Sequence, residues 1–245
     1  MCYNVAYIEK RGKKYEERFS ELLPDGIKQP ELFDNMPFFY FVSGFSHPTL
    51  PVITADGVDF FRWGLIPFWV KDAPSAKHIS SKTLNAVGET VFEKPSFRNA
   101  IKKNRCILGV NAFYEWREFN GKKYPYLIKL KGEEMFSLGC IYENWVHKST
   151  GEILKSFSIL TTPANPLMEV IHNNKKRMPL ILPRENEKKW IDEKLSHDDI
   201  QSLIRPLDDT LMEAYTISTD VNIAKNHRNV PESMEKVDYP ELPAA

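Results

Sequence analysis

The sequence contains little cysteine and no apolar run long enough to cross a membrane. Its three cysteines, Cys2, Cys106 and Cys140, cannot all pair within one chain, and none belongs to a CxxC motif or to a Cys/His pair at zinc-binding spacing. A disulfide framework and a structural zinc site are therefore unsupported, and a reducing compartment fits best. The start of the chain has no apolar h-region followed by a cleavage site, so we expect a soluble, cytoplasmic protein with no membrane partner.

The sequence also lacks an excess of charge of either sign, because 33 Lys and Arg balance 33 Asp and Glu. Nucleic-acid binders usually show a basic footprint, so this balance argues mildly against one. It does not exclude one, since binding depends on local rather than net charge. Hydrophobic residues make up 42% of the 245 residues and aromatics 12%, which predicts a substantial core.

Short β-type runs separated by turns dominate the chain, and helical signals are fewer. Predicted strands are Val58–Trp63, Ile107–Trp116, Tyr124–Lys129, Met135–Tyr142, Ser156–Thr161, Met178–Leu182 and Ala214–Ile217. Predicted helices are Tyr15–Leu22, Ser96–Lys103, Asn165–His172, Glu185–Lys194 and Asp198–Ile204. This pattern predicts one α+β domain over residues 1–230, with a curled, mostly antiparallel sheet or barrel-like core and peripheral short helices. The acidic, proline-rich residues 231–245 are expected to form a loosely held, flexible tail.

Cys2 is the first residue with distinctive chemistry. Removal of Met1 would leave it with a free α-amine beside its thiol. The amine can condense with an aldehyde, and the thiol can then close the imine into a five-membered thiazolidine. About a tenth to a fifth of such an amine is neutral at pH 7, given an α-amino pKa near 7.7–8.0. The competing interpretation is a cysteine near a frayed chain end.

Two further segments contain candidate proton-transfer groups. Glu115 lies between Tyr114 and Trp116 on an apolar strand, and partial desolvation there would raise the pKa of its carboxyl. The alternative is strand alternation, with Glu115 facing water. His172 follows an amphipathic turn and precedes a basic run, where an imidazole could transfer protons next to a phosphate-bearing ligand. A lone histidine can equally be structural.

The aromatic segment at 60–70 offers flat apolar surface around Pro67. Trp63 precedes this break and is expected to pack in the core. Phe68 and Trp69 follow it and are candidates for stacking on bases, worth about 1–3 kcal/mol per stacked base.

In combination, these pieces resemble the SRAP family (SOS response-associated peptidase), which includes proteins that shield abasic sites in single-stranded DNA. The matching blocks follow one another in the family order: Met1-Cys2, Trp63–Pro67, Asn85-Ala86 with Glu89, Phe97-Arg98, Arg105-Cys106, Phe113–Trp116, Thr161-Thr162 with Ala164-Asn165, and His172 with Arg177–Pro179. They span about 180 residues, which makes the combination specific although each block alone is weak.

The resemblance implies a role for each candidate. Cys2 would crosslink to the ring-opened sugar, Asn85 would position the Cys2 backbone or the substrate, and Glu115 would handle protons on the attacking amine. His172 would assist opening of the deoxyribose ring. The implied DNA contacts are Phe68, Trp69, Arg98, Thr162, Arg177, Met178 and Pro179. The implied partner is single-stranded DNA with abasic sites, bound by a monomer without metal or organic cofactor.

The chain departs from the family pattern at two positions. The family often has arginine at the position of Asn4 and at that of Val87. Both arginines would be phosphate contacts, so DNA affinity would be weaker or would use other cations such as Lys82 or Lys175. The covalent chemistry requires neither arginine.

Two other functions stay open on the sequence. The first is a thiol peptidase or autopeptidase, in which Cys2, His172 and either Asn85 or Glu115 supply nucleophile, base and orienting group. Its narrowest form is a single self-removal of Met1. The second is a non-covalent single-stranded DNA binder in which Cys2 plays no part.

Overall fold

Two β-sheets edged by short helices make up the described part of the chain. The computed structural model describes residues 2–7, 12–23, 38–223 and 227–243. In chain order the strands are β1 Asn4–Tyr7, β2 Phe39–Ser43, β3 Thr49–Thr54, β4 Gly57–Trp63, β5 Asn85–Val87, β6 Arg105–Val110, β7 Ala112–Phe119, β8 Lys122–Leu130, β9 Phe136–Val146, β10 Ile153–Pro163, β11 Arg177–Pro179, β12 Ile181–Leu182 and β13 Met212–Thr216. The helices are α1 Gly12–Phe19, α2 Ala73–Ser80, α3 Ala100–Lys103, α4 Pro166–Ile171, α5 Arg184–Ile191 and α6 His197–Leu203.

Five strands close into a barrel. Pairing runs from β10 through β4, β3, β6 and β9 and returns to β10. Closure depends on the long strand β9, in which Cys140 pairs with Cys106 on one side and with Ile159 on the other. A closed sheet leaves fewer strand edges exposed. Only the β10–β4 and β10–β5 pairings are parallel among the described strands, which confirms the predicted α+β fold with its mostly antiparallel core.

The second sheet places the start of the chain between two later segments. Its strand order is β13-β8-β7-β1-β2, so β1 lies between β7 and β2. Strands β7 and β8 form the hairpin predicted at Asn120-Gly121, where both residues have positive φ, 48° and 73°. Their tight turn fixes the β7–β8 register, and β7 in turn aligns β1.

The chain passes from one sheet to the other at Asn111, where a single strand was predicted. Residues 107–116 were expected to form a single strand, but β6 belongs to the barrel and β7 to the second sheet. At the crossing, the Asn111 amide N–H donates to the Ala6 carbonyl at 3.0 Å and its side-chain amide donates to the Glu134 carbonyl at 2.7 Å. An asparagine satisfies the backbone groups that the change of sheet leaves unpaired.

Helix ends follow the expected capping chemistry. The Asn165 side chain accepts from the Met168 amide at 2.9 Å and begins α4, and Ser196 caps α6 in the same way. Helix α2 was not predicted, although Asp72 caps it and Pro74 lies in its first turn. Residues 96–99 precede α3 as turns, so this helix is shorter than expected. None of the helices in the described ranges is long and apolar enough to cross a membrane.

The described residues of the predicted tail pack on the second sheet. The Tyr239 hydroxyl donates to the Ile217 carbonyl at 3.0 Å, and its ring lies 5.0 Å from that of Tyr124. The Tyr124 hydroxyl donates to Glu241 at 2.9 Å, and Leu242 packs against the core. We expected a loosely held segment from its acidic and proline-rich composition, but Tyr239 and Leu242 supply enough apolar surface for docking up to residue 243. The domain boundary at residue 230 stays a prediction.

Candidate functional site

The pairing of β1 with β7 brings the start of the chain to Glu115. In this antiparallel ladder Asn4 lies opposite Tyr114. Continuing the same register places Tyr3 opposite Glu115, with Cys2 next along the chain. A contact between sequence positions this far apart depends on the fold, and local patterns in the sequence could not have predicted it.

Glu115 is buried, with 4% of its surface exposed. Burial raises the pKa of its carboxyl to about 8. The alternative in which Glu115 faces water on a half-buried strand is therefore wrong. Near neutral pH the group holds its proton in most molecules and can act as an acid.

His172 follows α4 and is held in one tautomer. Its Nδ1 lies 2.8 Å from the Arg177 carbonyl oxygen, an acceptor, so Nδ1 carries the proton and Nε2 is the unprotonated ring nitrogen. Burial lowers the pKa of the imidazole to about 4. Nε2 lies 3.7 Å from Oε2 of Glu115. This separation would suit an ion pair. The two pKa shifts make both groups neutral at pH 7, however, so a neutral acid faces a neutral base.

Asn173 holds His172 against β7. Its side-chain amide donates to the Glu118 carbonyl at 2.8 Å and accepts from the Glu118 amide at 3.1 Å. This two-way bond ties the loop after α4 to β7 three residues beyond Glu115. The loop cannot leave β7 without breaking both bonds, which fixes the spacing between His172 and Glu115.

Cys2 is fully buried. Burial raises the pKa of its thiol well above the ordinary value, and the nearby Glu115 carboxylate raises it further. The thiol therefore stays protonated at neutral pH. Its Sγ lies 3.8 Å from the Asn4 carbonyl oxygen. In the described residues Cys2, Glu115 and His172 thus form one cluster.

Asn85 is a buried polar side chain without a hydrogen-bond partner in the described structure. It begins β5, lies opposite Ile159 of β10, and is 8% exposed. Both its amide nitrogen and its amide oxygen are unpaired. Its neighbour Leu84 packs in the same apolar cluster as Cys2. Buried amides without partners are uncommon in folded proteins and point to a group that is supplied from outside.

A cleft of about 690 Å³ is lined in part by Glu115 and His172. Sequence reasoning missed most of the residues that line it: Tyr3, Ser43, Phe45, Trp116, Glu118, Lys123, Asn174, Val221, Asn222 and Arg228. Phe45 is 65% exposed, and its ring lies 4.8 Å from that of Tyr3. These residues come from five separate stretches of chain, so no local pattern signals them.

The aromatic and basic DNA-contact candidates differ in accessibility. Phe68 and Trp69 are 55% and 44% exposed, and Arg98 is also exposed. Trp63 is fully buried and donates to the Leu84 carbonyl, which confirms its core position.

The DNA-contact candidates on the β10–β11 ladder are buried or paired with other residues of the protein. The Arg177 guanidinium forms a bidentate pair with Glu89 and donates to the Thr161 carbonyl at 2.7 Å. Thr162 and Met178 are fully buried, and Pro179 is buried beside them. Their roles as DNA contacts stay predictions.

Comparisons with known proteins identify relatives. Residues 1–224 match the family described as SOS response associated peptidase (SRAP). Over 176 residues the chain is 46% identical to the abasic site processing protein YoqW of Bacillus subtilis (strain 168), covering 71% of this chain and 74% of that protein. It is 29% identical over 196 residues to the abasic site processing protein HMCES of Xenopus tropicalis, covering 72% of this chain and 56% of that protein.

Solved structures show the same architecture. A crystal structure of a protein from Bacteroides thetaiotaomicron has a TM-score of 0.87 and 38% identity, covering 96% of this chain and all of that one. A second, from Bordetella bronchiseptica, has a TM-score of 0.72 and 21% identity, covering 89% of this chain and 100% of that one, which shows the fold alone. Because the family match covers nearly the whole chain, this protein belongs to the SRAP family.

Proposed function

We propose that this protein captures abasic sites in single-stranded DNA by forming a thiazolidine with Cys2 after removal of Met1, and so protects the damaged strand. The observation that carries the proposal is the cluster of Cys2, Glu115 and His172, of which Glu115 and His172 line a cleft. Relatives named abasic site processing proteins support the same substrate. A monomer suffices for a site built within one chain, and a cytoplasmic location belongs to the same proposal.

The reaction needs one amine, one thiol and one aldehyde. The Cys2 α-amine attacks C1′ of the ring-opened deoxyribose and forms a carbinolamine. Loss of its hydroxyl as water gives an imine. The Cys2 sulfur then bonds to the same carbon while its proton moves to the nitrogen. One water is released and no oxidant, reductant or metal takes part.

Glu115 and His172 fit the proton transfers in this sequence. A carboxyl with a pKa of about 8 can donate a proton to the departing carbinolamine oxygen at neutral pH. The unprotonated Nε2 of His172 can accept a proton from the sugar hydroxyl as the deoxyribose ring opens. Their separation of 3.7 Å allows the proton to be returned from one group to the other after a small movement.

The raised pKa of the Cys2 thiol favours thiazolidine formation over a thiol peptidase mechanism. A peptidase needs a thiolate nucleophile, and both burial and Glu115 disfavour the ionised form of Cys2. In thiazolidine formation the amine attacks first, and the thiol adds only afterwards to an activated imine. The protonated thiol therefore fits capture better than trans-acting proteolysis.

A denaturing gel with single-stranded DNA carrying one abasic site tests the proposal. We expect a DNA-sized shift for the wild-type protein, none for Cys2→Ala, and none with intact DNA. Cys140→Ala is the matched control, because it removes another buried thiol and should still shift. Cys2→Ser keeps the amine but cannot form the sulfur ring, so its shift should appear only after borohydride traps the imine.

Intact mass of the same protein gives a second check. Loss of Met1 in the crosslinking-competent sample is expected, since an acylated nitrogen cannot condense with an aldehyde. A shift that persists in Cys2→Ala, or crosslinking by protein that retains Met1, would refute thiazolidine formation. Peptide turnover without a DNA adduct would favour the peptidase hypothesis instead.

A further inference from the structure

The cleft lined by Glu115 and His172 has a local excess of positive charge. Lys123, Lys175 and Arg228 line it. The acidic residues among its described lining are Glu118 and Glu115, and burial raises the pKa of the Glu115 carboxyl to about 8, so that this group is mostly protonated at neutral pH. A chain of zero net charge therefore has a basic surface at this place.

These three cations are available to a ligand. No carboxylate of the described chain lies within ion-pair distance of Lys123, Lys175 or Arg228, whereas Arg177 is paired with Glu89. Lys123 lies opposite Glu118 across the β7–β8 ladder, but the two do not form an ion pair within 4.0 Å. Arg177, in the family-matching block after His172, is thus neutralised by Glu89, whereas Lys123, Lys175 and Arg228 line the cleft.

Contacts hold the side chain of one of these cations and the backbone of a second. The Arg228 guanidinium lies 4.9 Å above the Phe41 ring, and its Nη1 lies 3.4 Å from the Val221 carbonyl oxygen. The Lys123 carbonyl accepts from the Asn222 side chain at 3.0 Å, which holds β8 beside the same segment. Guanidinium and ammonium groups held on the rim of one cleft suit the phosphates of an extended strand.

We infer that Lys123, Lys175 and Arg228 bind the backbone phosphates of the single-stranded DNA next to the abasic nucleotide. They would supply phosphate contacts where this chain has Asn4 and Val87 instead of arginine. The inference rests on the proposed function, because it places the strand in the cleft lined by Glu115 and His172, the neighbours of Cys2. Lys82, the other cation considered from the sequence, lies in a separate groove beside Trp69.

The salt dependence of reversible binding tests the inference. In a Cys2→Ala background only non-covalent affinity is measured, by anisotropy of labelled single-stranded DNA from 50 to 200 mM salt. Each lost phosphate contact should lower the slope of log K against log salt by about 0.7 and weaken binding roughly fivefold near 0.1 M salt. The triple variant Lys123→Gln, Lys175→Gln, Arg228→Gln should therefore lose a slope of about 2.

A matched triple variant removes the same charge elsewhere. Lys102→Gln, Lys148→Gln and Lys188→Gln replace exposed lysines that do not line the cleft. This variant should keep most of the wild-type slope, and thermal melts of both triple variants should confirm that they fold. Equal slopes for the two triple variants would overturn the inference.

The two proposals can fail separately. A covalent gel shift by the wild-type protein, together with equal salt slopes for the two triple variants, would retain abasic-site capture and reject the phosphate contacts. A smaller salt slope for the cleft variant alone, without any covalent gel shift by the wild-type protein, would retain the phosphate contacts and reject capture by Cys2.

Discussion

The imidazole Nε2 of His172 lies 3.7 Å from the Glu115 carboxyl, and burial moves the pKa values of these two groups in opposite directions. Glu115 titrates near 8 and His172 near 4, so between these pH values both are neutral. When an acid and a base are both uncharged near pH 7, a proton can pass from one to the other without creating an isolated buried charge. This relationship leads to the first prediction.

Glu115→Gln should stabilise the folded protein as the pH rises. The folded state keeps the Glu115 proton up to about pH 8, whereas the unfolded chain releases it near 4.5. Between these values the folded state binds more protons, so Glu115 lowers the free energy of unfolding with rising pH. The free energy of unfolding of the neutral variant should exceed that of the wild type by about 4 kcal/mol at pH 8 and equal it below pH 4.5.

Thermal melts of both proteins from pH 4 to 9 measure this difference. His172 has the opposite sign, because its lowered pKa makes stability rise with pH between about 4 and 6.5, and it cancels in the comparison. A constant difference at every pH would contradict the buried, protonated state of Glu115. The same variant should crosslink abasic DNA more slowly if Glu115 donates the proton.

Asn85→Leu should make the protein more stable and less able to capture DNA. Both amide atoms of Asn85 are buried and unpaired, so replacement by an apolar side chain removes a desolvation cost of about 1–3 kcal/mol. Loss of the amide would also remove the group that positions Cys2 or the sugar. Melting temperature and crosslinking rate should therefore move in opposite directions.

Asn165→Leu is the matched control for this change. Its side chain accepts from the Met168 amide and donates to the Leu207 carbonyl at 2.8 Å, so the same substitution should destabilise the protein by about 1–2 kcal/mol. If Asn85→Leu melts at a lower temperature than the wild type, the unpaired amide does not destabilise the folded state, and the positioning role loses its support.

The sequence predicted strands well where the signals are local. The Asn120-Gly121 turn and the alternating runs on either side identify the hairpin of β7 and β8. The observed β8 is longer than predicted by two residues at its start and one at its end, whereas β7 was predicted as one strand with β6. Strands β1, β2, β3 and β5 were missed, because short strands are recognisable mainly by their partners. Helix α2 was also missed, although its capping residue Asp72 was visible in the sequence.

The candidate site was predictable only in part. Cys2 and His172 have chemistry that is visible in the sequence, and the structure places both beside Glu115. Lys123 and Arg228 were not singled out, because they reach the cleft from segments about a hundred residues apart. The Arg177–Glu89 pair likewise joins distant segments, so the sequence suggested a free cation where the fold forms an ion pair.

Glu143→Ala should loosen the loop that displays Phe68 and Trp69. The buried Glu143 carboxylate accepts hydrogen bonds from the Phe68 backbone amide and from the Asn104 side chain, the latter at 3.2 Å. Removing it takes the acceptor away from both donors, at a cost of about 0.5–1.5 kcal/mol for each hydrogen bond. Hydrogen exchange at the Phe68 amide should become faster, and affinity for single-stranded DNA should fall. Asn144→Ala, at the exposed neighbour, should change neither, and unchanged exchange in Glu143→Ala would contradict the anchoring role.

Phe68→Ala and Trp69→Ala should weaken DNA binding with little effect on folding. Both side chains are largely exposed, so truncation removes little core packing, although Trp69 also loses its hydrogen bond to the Pro95 carbonyl at 3.2 Å. If each ring stacks on a base, each substitution should cost about 1–3 kcal/mol in binding, or roughly 5- to 150-fold in affinity. Binding is measured by anisotropy in the Cys2→Ala background, and Ile153→Ala controls for loss of an exposed apolar side chain. Affinity that falls equally in all three variants would mean that the two rings act only as apolar surface, whereas no loss in either aromatic variant would place the DNA bases elsewhere.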